Sequence, residues 1–320
     1  MKEIDINVLY TYLQSQQTAQ QFLYDCYQNL DGVEASAKSY ENCNSFMYYL
    51  DHGIQFYENG KNLDILFQPI MFFYGMVHLL KANLLTIRPH YPESTTILAH
   101  GVSSRKRKKK DYSFMEDEVK TQQNGLFPYF SKHLFSVSQT PFEKFKMEDL
   151  LGLIPEVSSM FTFQSQKKMI TVGEVGRSEL YFPNEILDNY HLTAKSFIQR
   201  ISAHLPVMEQ TEINKNSFCI KLSVPLHKPN GPFFTHISNN LIYFPLHRRN
   251  YLLNSEVMVH YLLLYNLSML CRYEPEWWGD LLSAKSEIDF PFITYFLQNT
   301  ADKIPLLLGE KLLERTSLNN

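Results

Sequence analysis

Ile65-Leu66-Phe67-Gln68-Pro69-Ile70-Met71-Phe72-Phe73-Tyr74-Gly75-Met76-Val77-His78-Leu79-Leu80-Lys81-Ala82-Asn83-Leu84-Leu85-Thr86-Ile87 is the stretch whose reading decides the fold. A membrane-spanning helix wants about 20 consecutive, mostly apolar residues. Here Gln68, Pro69, His78, Lys81 and Asn83 interrupt the run. The pattern predicts a helix buried at the centre of a bundle, not a span. Pro69 suits its first turn. Arg88-Pro89 ends it, because the residue before proline avoids helical angles.

The helices that would cover this one lie on both sides of it in the chain. Val8, Leu9, Tyr12, Leu13, Phe22, Leu23 and Cys26 recur at helical spacing and predict an amphipathic helix over 5–30. After Asp31-Gly32, Ser39 or Asn42 could cap a second helix through Phe46, Tyr49 and Leu50, with Gly53 a candidate interruption. Further helices are expected over 255–273, 288–300 and 303–315. In the middle the period changes. Met169–Val172, Leu180–Phe182, Phe218–Val224, Phe233–Ile237 and Leu241–Phe244 read as strands around a helix over 185–204, with turns at 172–177 and at Pro229-Asn230-Gly231. The expected fold is therefore mainly α (α+β): a helical bundle from N- and C-terminal segments with a small α+β insertion. The corresponding divisions are 1–155, carrying a basic loop at 98–120, then 156–250 for the insertion and 251–320 for the closing helices.

With 320 residues, 44% hydrophobic and 20% charged, the chain has the composition of an ordinary globular protein. Its formal net charge of -3 encodes no general attraction to nucleic acid or membrane, so any such binding must be local. Cys26, Cys43, Cys219 and Cys271 are too scattered for a zinc site or a disulfide framework. No apolar leader opens the sequence, which predicts a cytoplasmic protein. Phosphate-loop, dinucleotide-loop, zinc-protease and serine-elbow motifs are all missing, so neither cofactor nor metal is expected.

Three features could carry function. The first is the basic run Arg105-Lys106-Arg107-Lys108-Lys109-Lys110, preceded by His100 and Gly101. Six adjacent cations repel one another and gain from a polyanion. Gly101 allows close backbone approach, and Tyr112 and Phe114 could stack on bases. Asp111, Glu116, Asp117 and Glu118 could instead neutralise the run, and a targeting signal is a third reading. The second feature is a pair of helical stripes: Tyr74, His78 and Lys81 on one helix, and Tyr261, Tyr265, Ser268 and Arg272 on another. If they face each other, Tyr74, His78, Lys81, Tyr265, Ser268 and Arg272 line a polar pocket suited to phosphate or carboxylate. A solvent-facing stripe, and an ion pair from Arg272 to Glu274 or Glu276, are the plainer readings. The third feature is the short basic element His247-Arg248-Arg249.

Ser39-Tyr40-Glu41-Asn42-Cys43, Tyr91-Pro92-Glu93-Ser94-Thr95, Leu98-Ala99-His100-Gly101-Val102-Ser103-Ser104-Arg105-Lys106-Arg107-Lys108-Lys109, Asn124-Gly125-Leu126-Phe127 and Arg272-Tyr273-Glu274-Pro275-Glu276-Trp277-Trp278 resemble the bacterial YaaC-like family over most of the chain. The resemblance implies a cytoplasmic bacterial protein and no particular reaction. A looser similarity of layout links the chain to HEPN-type helical bundles, many of which bind or cut RNA. Nuclease members carry an Arg followed four to six residues later by His, whereas Arg88 to His100 and Arg249 to His260 are spaced too widely. The leading expectation is a non-catalytic or regulatory protein that binds RNA or a nucleotide through the basic loop. An HEPN-like ribonuclease using His100 or His260, as toxin or defence effector, is the alternative. A scaffold anchored by Trp277 and Trp278 is another, and a homo-oligomer is compatible with all three.

Overall fold

A computed structural model describes residues 5–105, 112–138, 141–251 and 255–315. The chain divides into two compact units. The first comprises Met1–Ser113, Asp117–Phe145 and His260–Asn320, and the second Phe114–Glu116 with Lys146–Val259. The architecture is mainly α with small antiparallel sheets, built around a helical bundle whose helices come from both ends of the chain.

The first unit begins with α1 (Ile6–Tyr12) and α2 (Gln16–Tyr27). The single helix expected over 5–30 is broken at residues 13–15, where the Ser15 hydroxyl accepts from Thr18 N at 3.2 Å and starts a new helix. Next come α3 (Ala35–Asn62) and α4 (Gln68–Leu85). Glu34 caps α3, accepting from Ala37 N at 2.6 Å, so neither Ser39 nor Asn42 does. Gly53 does not interrupt α3; it lets α4 approach, since a Cβ there would sit 2.7 Å from Leu79. Asn42 is used in the interior instead, donating to the Tyr27 hydroxyl at 3.0 Å and to the Pro89 carbonyl at 2.8 Å. Twelve residues of α4 are buried, among them Phe72, Phe73, Met76, Leu79, Leu80 and Leu84. Each contributes about 1.5–3 kcal/mol through burial, which explains a helix apolar nearly all round.

Short strands β1 (Val102–Ser104), β2 (Glu118–Thr121) and β3 (Lys144–Lys146) form one sheet, with α5 (Leu126–Phe135) between the last two. The second unit carries α6 (Met147–Leu151), α7 (Pro155–Ser158), β4 (Met169–Glu174), β5 (Glu179–Pro183), α8 (Glu185–Tyr190), α9 (Ala194–Ile201), β6 (Met208–Ile213), β7 (Ser217–Leu222), β8 (Phe234–Thr235) and β9 (Leu241–Pro245). Its strands pair in the orders β4-β9-β8 and β5-β7-β6, over an aromatic core holding Phe182, Tyr190, Phe197, Phe218 and Phe244. Gly173 lies inside β4, and the turn falls later, at Gly176 with φ 81°. The helix expected over 185–204 is interrupted at His191, which takes a left-handed φ of 53°. The chain closes with α10 (Glu256–Tyr273), α11 (Pro275–Ala284) and α12 (Asp289–Leu313). One helix stands where two were expected, with Pro305 inside it. No helix among the described residues is long and apolar enough to cross a membrane.

Candidate anion-binding site

In the first unit the structure brings α4 and the C-terminal part of α10 together. Arg272 Nη1 donates to the Tyr74 hydroxyl at 3.3 Å, and the guanidinium lies 6.0 Å from the Tyr74 ring centroid. Nε of Arg272 donates to the Ser268 carbonyl at 3.0 Å and Nη2 reaches Met269 Sδ at 3.3 Å. The group is thereby aimed, with two of its five N–H bonds uncommitted. Ser268 is fully buried and its hydroxyl donates back to the Tyr265 carbonyl at 2.8 Å, so it closes a helical turn and is not an open lining group.

His100 enters the same cluster. Its ring centroid lies 5.0 Å from that of Phe73, 6.1 Å from Tyr74 and 5.8 Å from Tyr265. The backbone holds it there. Its carbonyl accepts from Phe127 N at 3.1 Å and from the Tyr261 hydroxyl at 2.9 Å. On either side, Leu126 N donates to the Ala99 carbonyl at 2.7 Å and Gln122 N to the Gly101 carbonyl at 2.9 Å. Gly101 has φ 76° and abuts Gly125, whose φ is 124°; a Cβ on Gly101 would meet Pro128 Cδ at 2.6 Å. Only glycine meets both demands.

Lys81 lies two turns beyond Tyr74 on α4, half-buried, with its ammonium 5.4 Å from the Tyr49 ring centroid. His78 turns toward α3, where Tyr49, His52 and Phe56 surround it at centroid distances of 5.9, 5.5 and 5.7 Å. His52 and Phe56 escaped the sequence reading, and Tyr49 entered it only as a helix position, although their spacing of three and four marks one helical face. Burial first, then Lys81 and His52, pushes the His78 imidazole down to about 4. Burial, then the charges of Arg272 and Lys81, lowers His100 as well, and burial lowers Lys81. Among the described residues neither Lys81 nor Arg272 pairs with a carboxylate, and Arg272 makes no ion pair with Glu274 or Glu276. Arg272 thus stands beside the His100 ring, around Tyr74, with no carboxylate partner among the described residues.

Other expectations fall out differently. Arg105 is exposed, immediately after β1, while Lys106, Arg107, Lys108, Lys109 and Lys110 lie outside the described residues, as does Asp111. Phe114 is fully buried and has no face to offer a base. The Tyr112 hydroxyl donates to Asp117 at 2.8 Å and its ring lies 4.8 Å from Trp277, edge to face. Trp278 is fully buried, its indole N–H donating to the Leu66 carbonyl at 3.1 Å, which removes it as an exposed anchor. His260 is likewise buried, with Nδ1 2.7 Å from Thr300 Oγ1. Arg88 is engaged with Glu93 and with the Tyr129 hydroxyl at 3.2 Å. In the second unit Arg249 pairs with Asp149 at 3.4 Å, which answers its charge locally.

The family model of the YaaC-like protein matches residues 11–312. The chain belongs to the YaaC-like family. The matched span of this YaaC-like protein includes every residue of the cluster around His100. Neither a curated protein nor a solved structure matches it.

Proposed function

We propose that this YaaC-like protein is a cytoplasmic, non-catalytic or regulatory protein that binds a phosphate-bearing ligand, RNA or a nucleotide. One observation carries the reading: Arg272, aimed by Tyr74, Ser268 and Met269, stands with the His100 ring around Tyr74 and has no carboxylate partner among the described residues. Half-buried charge without a partner is costly, and a bound anion relieves that cost. Arg272 is held in a fixed direction, which suits a phosphate oxygen better than a freely swinging side chain does. The basic run begins four residues after Gly101 and adds cations to the same stretch of chain.

Binding of labelled RNA across a salt series tests this, using the wild type, a variant with Arg105–Lys110 changed to Ser and Gln, and a Lys81→Gln/Arg272→Gln variant. Salt-sensitive binding that either variant weakens supports the reading. Equal binding by all three proteins, or none at low salt with either RNA or adenosine monophosphate, refutes it.

A second reading has one observation in its favour. A histidine with a lowered pKa beside an arginine is what an HEPN-like ribonuclease would need, and His100 with Arg272 answers to that where His260 does not. Cleavage of RNA by the wild type, lost in His100→Ala while binding persists, would select it.

A further inference from the structure

We propose that β6 is a docking edge for an extended peptide in which basic and apolar side chains alternate, added as a fourth strand to the sheet β5-β7-β6. β6 belongs to the second unit, and the surface it offers needs no ligand at the anion-binding site.

The backbone leaves this edge open. β6 is the last strand of its sheet, antiparallel to β7, and nothing among the described residues pairs with its far side. Asn214 N donates to the Ser217 carbonyl at 2.8 Å, which makes these two a hydrogen-bonded pair at the end of the ladder. Such pairs alternate along an antiparallel ladder. Glu212 therefore turns its N–H and C=O to Cys219, while Thr211 and Ile213 turn theirs outward. On the other side of β7, Leu222 N donates to the Ser178 carbonyl at 2.7 Å and keeps to the same alternation. Outward N–H and C=O groups in a row are a template for pairing with another chain.

The side chains leave it uncovered as well. Ile213 and Thr211 stand opposite Phe218 and Ile220, which are fully buried, and so lie on the core face of the sheet. Ile213 is nonetheless 63% exposed, because the core stops short of β6. Every residue from Glu209 to Ile213 is exposed, whereas the edge strands β4 and β5 both hold buried residues.

Charge selects the occupant. Glu209 and Glu212 make no ion pair among the described residues; Glu212 accepts from the Gln210 side chain at 3.1 Å. A second copy fits poorly. Antiparallel pairing of β6 with itself, centred between Gln210 and Thr211, sets Glu209 against the other copy's Glu212, and like charges directly opposite destabilise a sheet. A basic side chain opposite Glu212 lies on the solvent face and answers its charge. An apolar one opposite Ile213 lies on the core face and extends the cover over Phe218. Successive residues of one extended peptide meet both demands.

Fluorescence anisotropy on the full chain tests this with three labelled probes. They are a short peptide alternating lysine and valine, a scrambled peptide of the same composition, and the alternating peptide N-methylated at its valines, which removes the N–H groups that would pair with Thr211 and Ile213. The alternating peptide should bind at least about tenfold more tightly than either control. Thr211→Pro removes an outward N–H and spares the ladder to β7, a place where an edge strand tolerates proline, so it should abolish that preference. Glu212→Lys should lower affinity for the alternating peptide about fivefold. Glu212 is exposed, so its variant should keep the fold by circular dichroism even if Thr211→Pro does not. Equal binding of the three probes, no binding of any, or binding that neither variant changes would overturn the proposal. A wild-type dimer that Thr211→Pro converts to monomer would give the edge to a second copy and overturn the peptide assignment too.

Discussion

His78 has a consequence for stability that does not depend on any ligand. Its imidazole sits among Tyr49, His52, Phe56 and Lys81, and its pKa falls to about 4 from the ordinary 6.5. The unfolded chain therefore holds the proton between those two values while the folded chain does not. Linkage makes stability rise with pH wherever the unfolded state binds more protons. The contribution is fully present above about pH 6.5 and is lost as pH falls toward about 4. Glu93 and Glu148, both held below the usual carboxylate range through hydrogen bonds and charges from Arg88 and Lys168 that outweigh their burial, add losses of the same sign lower on the scale. His78→Gln should remove the part that belongs to the imidazole. Urea midpoints at pH 7 and pH 5 for both proteins are the check: the gap between them should narrow in the variant. An unchanged gap would mean that His78 is readily protonated in the folded state. None of this was legible from the residue alone, because His78 reads equally as a solvent-facing or a satisfied core group until Tyr49 and His52 are known to cover it.

At the scale of elements, the clearest case is the seam between α1 and α12. Pro305 withholds the N–H that would bond the Ala301 carbonyl. On the same turn the Tyr10 hydroxyl donates to the Pro305 carbonyl at 2.7 Å, tying α1 to the point of weakness. One turn further, any Cβ on Gly309 would overlap Ile6 Cγ2 and crowd the Tyr10 ring. Two effects oppose each other in Gly309→Ala. Helix propensity favours alanine by about 1 kcal/mol, and overpacking a fitted interior costs about 1–3 kcal/mol. The collision is with a buried branched side chain, so overpacking should prevail and the melting temperature should drop. A rise would show that α1 can shift away from α12 without loss. Proline is also why two helices were expected where one exists: a proline inside a periodic pattern reads as a boundary. The apolar stretch of α4 was legible because its composition leaves no other placement. The breaks at residues 13–15 and at His191 were not, since each turns on a local cap or a left-handed residue and not on periodicity.

For the whole molecule the decisive number is the formal charge of -3. A chain with 30 Lys and Arg against 33 Asp and Glu has no net field to draw in a polyanion, so affinity for RNA must come from the few cations that meet it. The sequence offers such cations in three features: a basic run, a helical pocket and the short element His247-Arg248-Arg249. The fold relates the first two only in part: His100 stands with Arg272 around Tyr74, and the three strand residues of β1 lead from the His100–Gly101 turn to Arg105. Whether one strand of RNA meets both features is a matter of counting charges. For single strands, the logarithm of the binding constant falls with the logarithm of salt by about 0.7 for each phosphate neutralised. Replacing both Lys81 and Arg272 with Gln should lower the magnitude of that slope by up to about 1.4. Replacing the six residues of the basic run should lower it by up to about 4. If both features touch the same strand, the two decrements add in the combined variant. A slope that neither set of changes moves would locate binding elsewhere and make the cluster an internal feature of the bundle.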